Sequence, residues 1–143
     1  MTTLLGRPLW SLALLLCGAW LVLLGAYFMT LRPALLPEDL RYMRTTLPDI
    51  TASLPGLGRW LRHVFVVAGG FMAATGVVTA LIGYGAAPVH TRIATGVGLA
   101  ITGLLSVIMM SAVNFLIRSA YKWRLLIPAI LWVITVILYA LDT

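Results

Sequence analysis

The sequence predicts an all-α integral membrane protein with four transmembrane helices and a structured amphipathic loop between helices 1 and 2. Three observations lead there. Hydrophobic residues make up 62% of the 143, charged residues only 10%, and the mean hydropathy is +1.04. A soluble domain carries about 25% charged residues, so this chain cannot cover a globule with polar groups and the bilayer is its solvent. Four apolar runs approach the ~20 residues that a spanning helix needs. Residues 32–63 form the one long polar interval, with three of the four acids (Glu38, Asp39, Asp49), five of the ten basic residues and four of the seven prolines. The spans are placed at about 9–31, 64–83, 93–117 and 125–141, in a single membrane domain covering residues 1–143.

The first run follows a short start containing Arg7. It is longer than a signal-peptide core of about 7–15 residues. The Leu14–Leu16 triplet before Cys17 also lacks the small residue expected ahead of a lipoprotein cysteine. It therefore reads as an uncleaved anchor. Ser11, Gly18 and Gly25 recur every seven positions and form one small-residue face. Cys17, the single cysteine, sits mid-span and reads as a packing residue.

In the polar interval, Pro37, Pro48 and Pro55 exclude a continuous rod. Pro37 before Glu38 and Asp39 has the form of a helix first turn, with acids at the positive dipole end. Pro48 before Asp49 repeats the device, with Thr46 or Leu47 near the cap, and Pro55-Gly56 reads as a turn. Leu36, Leu40, Met43, Leu47, Ile50, Leu54, Leu57, Leu61 and Val64 are spaced by fours and threes, a one-sided apolar stripe. The expectation is short amphipathic helices, either in the membrane surface or folded back over the bundle. Arg41, Arg44, Arg59 and Arg62 would face headgroups, and Glu38 and Asp39 would pair with Arg41 or Arg44.

In the second span, Gly69, Ala73, Gly76, Ala80 and Gly83 alternate by fours and threes, and in the third Gly96, Ala100 and Gly103 do the same. Lipid tails give helices no hydrophobic reason to associate, so close van der Waals approach supplies it. The two seams predict that the second and third helices pack on each other across the turn 84–92, with the first helix joining through Ser11, Gly18 and Gly25. The fourth span has no glycine and carries Trp132 near its centre and Pro128 near its start. It reads as peripheral and largely lipid-facing, or as a surface covered by a partner.

Charge gives a topology. The loops after the first and third spans carry eight basic residues (Arg32, Arg41, Arg44, Arg59, Arg62, Arg118, Lys122, Arg124), against Arg7 and Arg92 on the other side. Loops 1 and 3 are expected in the cytoplasm and both termini outside. Trp60, Tyr121 and Trp123 suit one aromatic belt, and Trp10, Tyr84 and Tyr139 the other. The net charge of +6 is read as topology-setting and as attraction to anionic headgroups, not as nucleic-acid binding.

Chemistry is sparse. The first span lacks the buried acid on which small multidrug exporters depend, and one cysteine excludes a thiol-redox pair. His63 and His90 flank the second span, on the order of 35–40 Å apart at about 1.5 Å per residue, so they cannot share a haem iron within one protomer. No cofactor or metal is expected. A surface site built from Glu38, Asp39 and His63 is the enzymatic alternative. Asn114, with Thr102 and Ser106, forms a candidate polar path, though hydroxyls at such positions more often serve helix packing.

The segments LLPEDLRYM (residues 35–43) and GRWLRHVFVVAGGFMAATG (residues 58–76) resemble a group of small uncharacterised bacterial four-span membrane proteins with an LPED-type motif after the first span. The resemblance implies a bacterial inner membrane and brings no function with it. The resulting expectation is a non-enzymatic accessory or scaffold subunit, forming a homo-oligomer or joining another membrane protein. A channel or carrier and a surface enzyme are the alternatives. Recognition is expected at Glu38, Asp39, Arg41, Arg44 and His63.

Overall fold

The computed structural model describes residues 3–4, 7–85 and 92–142. It is all-α, and four helical segments are long and apolar enough to cross a membrane: Leu9–Thr30, Leu57–Tyr84, Ile93–Leu116 and Lys122–Asp142. A two-residue pairing, with Thr3 opposite Pro8 and Leu4 opposite Arg7, precedes the first helix. The elements are α1 (Leu9–Thr30), α2 (Pro37–Met43), α3 (Leu47–Ser53), α4 (Leu57–Tyr84), α5 (Arg92–Gly103), a π-helical turn (Leu104–Ile108), α6 (Met109–Leu116) and α7 (Lys122–Asp142).

The principal correction concerns the second span. Its small-residue face packs on α1, not on the third span. Ser11, Gly18 and Gly25 meet Gly83, Gly76 and Gly69 in antiparallel register, seven residues per step on each helix. A Cβ added to Gly18 would lie 2.6 Å from the Gly76 carbonyl oxygen, and one added to Gly25 2.5 Å from that of Gly69. Ala73 and Ala80 fill the intervening contacts, and the Ser11 hydroxyl donates to the Gly83 carbonyl. Backbones this close leave room only for hydrogen at these positions.

The third span's seam is taken by the fourth, which is therefore not peripheral. Trp132 is 1% exposed and Thr135 fully buried. The indole ring sits against Gly103, where a Cβ would overlap it, and its Nε1 donates to the Leu99 carbonyl at 2.9 Å. Tyr139 rests on Gly96. Two aromatics seven residues apart thus face two glycines seven residues apart. Ala100 faces outward, and Leu99, 2% exposed, holds the inner position instead. Past Gly103 the helix widens into the π turn, with the Met109 N–H reaching the Leu104 carbonyl. Ser111 donates to the Leu125 carbonyl at 2.7 Å, close to where Pro128 interrupts the α7 ladder.

Trp10 and Tyr139 meet edge-on, with ring centroids 5.0 Å apart, and the Trp10 indole donates to Asp142 at 2.9 Å. This pair ties the start of α1 to the end of α7. Tyr84 stays exposed, with the Arg7 guanidinium 4.7 Å from its ring centre. The start of α1 and the end of α7 thus share one end of the bundle, and the loops after the first and third spans share the other. His90 and most of the 84–92 connection lie outside the described residues.

Candidate functional site

The loop end of the bundle is built from three connections. Asp39 accepts the Leu36 N–H at 2.9 Å, which fixes the first turn of α2. Arg44 closes α2 in the left-handed region (φ 55°). Thr46 caps α3 through the Asp49 N–H, followed by a turn at Pro55–Gly56. The second membrane helix then starts at Leu57, about two turns before the expected 64. Arg62 on this extension is engaged by the end of α1. It donates to the Thr30 carbonyl at 2.8 Å and to that of Arg32 at 3.0 Å, a cation at the negative end of α1. Arg41, Arg44 and Arg59 are exposed.

Glu38 and Asp39 depart from the expected pairing with Arg41 or Arg44. Asp39 faces Arg32 at 3.6 Å. Arg32 sits over the rings of Phe28 and Phe65, 5.1 and 3.6 Å from their centres. Burial lowers its pKa from the ordinary value, against the opposing pull of Asp39. Glu38 is only 5% exposed and accepts a hydrogen bond from Ser119 at 2.9 Å. Ser119 is placed by the third connection. Arg118 adopts φ 51°, and the Ser119 N–H returns to the Asn114 carbonyl at 2.9 Å. The turn aims the serine hydroxyl inward, at a carboxylate 81 residues away. α2 is therefore folded onto the bundle, while α3 has no buried residue, and Leu47 and the following Leu54 are exposed.

Beneath α2 lies a cavity of about 600 Å³. The end nearest the connections, its mouth, is lined by Glu38, Asp39, Arg32, Arg124, Tyr27 and Tyr121; the end farther along the helices, its floor, is apolar, with Trp20, Leu24, Phe28, Met110, Val113 and Leu125, and is open to the side at Trp20 and Val113. Asn114 stands between the two. The structure thus brings together Glu38, Asp39 and Asn114. It leaves Arg41, Arg44 and His63 outside the lining, and the His63 Nδ1 bonds the Arg59 carbonyl at 2.8 Å. His63 therefore does not share this lining with Glu38 and Asp39. Among the described residues, no group of three His, Cys, Asp or Glu side chains is placed to hold a metal.

The cavity continues into a groove between α4 and the third span. Two recesses of about 430 and 590 Å³ follow one another along it, joined by Phe71 and Thr75. Met110, Val113 and Asn114 line both the cavity and the first recess. Ser106 faces the first recess and Thr102 the second, so all three residues of the expected polar path line this groove. Ser106, Thr75 and Thr79 each donate to the carbonyl one turn earlier, and so does the Asn114 amide. The groove wall is therefore mostly apolar, and these four polar groups are satisfied within their own helices. Gly98 lines it with nothing within 4 Å of a would-be Cβ, and Phe71 is 72% exposed.

Ser119 and Arg124 escaped the sequence reading as site residues. No periodicity marks Ser119, whose role depends on the left-handed turn at Arg118. No family model matches the chain, and neither curated proteins nor solved structures give a match.

Proposed function

We propose that the protein is a non-enzymatic accessory subunit that takes another transmembrane helix into the groove between α4 and the third span. In the simplest case that helix comes from a second copy of this chain, and otherwise from a larger assembly. The observation that carries this reading is the open groove itself. α4 packs its glycine face on α1, and the third span packs its own on α7, so the two faces that flank the groove have no helix between them. Small residues in the wall, Ala74 and Gly98, allow the close approach on which helix association in lipid depends. Loops 1 and 3 are assigned to the cytoplasmic side on their eight basic residues, in a bacterial inner membrane, with anionic headgroups around α3. Extraction in native lipid followed by intact mass measurement tests the reading. The expected result is a protein mass above the 15.5 kDa of one chain, and an isolated monomer at every concentration contradicts it.

The second reading is a carrier or channel, favoured by the alignment of Asn114, Ser106, Thr102 and Thr75 along one groove. It predicts potassium or small-solute flux in proteoliposomes that Asn114→Leu abolishes. Equal flux in wild type and variant removes it.

A further inference from the structure

We propose that the cavity beneath α2 is a binding site for an amphiphile whose head carries a primary ammonium group. Two features of the site are independent of each other. The first is its division into an apolar floor and a charged mouth, in a volume of about 600 Å³ that falls within the usual range for small-molecule sites. An alkyl chain matches the floor at Trp20, Leu24 and Val113. The second is the state of Glu38. It is 95% buried and receives one hydrogen bond, from a neutral hydroxyl. Among the described residues, the one ion pair within 4.0 Å is Arg32–Asp39; the Arg32 charge also acts on Glu38, but from beyond ion-pair distance. A carboxylate offers about four lone-pair sites, and a buried charge requires a partner. A primary ammonium supplies a positive charge and three donors in a compact head.

The head has two chemical sources. In an ethanolamine phospholipid the phosphate follows the ammonium and would meet Arg124. That side chain is exposed at the mouth, 5.6 Å from the centre of the Tyr121 ring. In a free amphipathic amine the ammonium is the whole head, and Arg124 remains in water.

The test uses the full chain in neutral detergent, with bound molecules counted by intact mass spectrometry. The probes are dioleoylphosphatidylethanolamine, dodecylammonium and, as the comparator, dioleoylphosphatidylglycerol. At least one ammonium probe is expected to bind more tightly than the glycerol lipid. Glu38→Gln should weaken that binding about tenfold, the size of one lost charge-assisted contact. Val113→Trp fills the floor without touching Glu38 and should weaken it as well, which keeps the test decisive if Glu38→Gln misfolds. Retention of the phospholipid alone identifies the bilayer source, retention of dodecylammonium alone the free amine, and retention of both the head group by itself. The proposal is overturned if the glycerol lipid binds as tightly as the ammonium probes, or if either folded variant keeps wild-type affinity.

Discussion

Gly69→Leu is expected to destroy the fold, while Gly70→Leu, one residue along the same helix, leaves it intact. A Cβ at Gly69 would lie 2.6 Å from the Gly25 carbonyl oxygen and 3.0 Å from the Met29 nitrogen. Both are backbone atoms of α1 and cannot rotate away. At Gly70 nothing lies within 4 Å. Overpacking a fitted contact costs on the order of 1–3 kcal/mol even for small additions, and a leucine at a backbone-to-backbone crossing exceeds that by separating the helices. Substitution at an open surface position stays within about 0.5 kcal/mol. Reversible unfolding in a mixed-detergent titration separates the two. Equal stability of the two variants would mean that α1 and α4 do not meet along this face.

Trp132→Ala is expected to cost about 3 kcal/mol, and Trp132→Phe about 1 kcal/mol. Removing a buried tryptophan from a fitted site costs about 3–5 kcal/mol in soluble proteins. The lower end applies here because lipid is as apolar as the interior, so lost packing supplies most of the penalty. Phenylalanine keeps much of the ring contact on Gly103 but loses the 2.9 Å bond to the Leu99 carbonyl. Hydrogen bonds between membrane helices average about 0.6 kcal/mol and reach about 1.7. The same unfolding titration measures both. An alanine variant as stable as wild type would place Trp132 in lipid, where the absence of glycine from its helix had suggested it.

These two sites show what sequence periodicity carries in a membrane protein and what it omits. Spacing by fours and threes marked Gly69, Gly76 and Gly83 as one face, but a small-residue face does not name its neighbour. In water, burial and charge would have helped to choose among the helices; in lipid every flank of every helix is equally apolar. The second and third spans carried matching seams, which invited pairing with each other. The structure matches α4's small residues with those of α1 and the third span's with the aromatics of α7. Trp132 and Tyr139 share the seven-residue step of Gly96 and Gly103, a signal present in the sequence but disguised because one side of the contact is large. At the loop end, Pro37, Glu38 and Asp39 marked the start of α2. The burial of Glu38 depends on Ser119, and Ser119 depends on a left-handed arginine that no residue preference announces.

The central claim is that the groove left open between α4 and the third span is the surface by which this subunit joins its assembly. Comparison of wild type and Gly98→Trp by intact mass in native lipid tests it most directly, because the indole would occupy the groove at a position where nothing lies within 4 Å. The account predicts a complex heavier than 15.5 kDa for wild type and the single-chain mass for the folded variant. A wild-type monomer, or a complex that Gly98→Trp leaves unchanged, would contradict it.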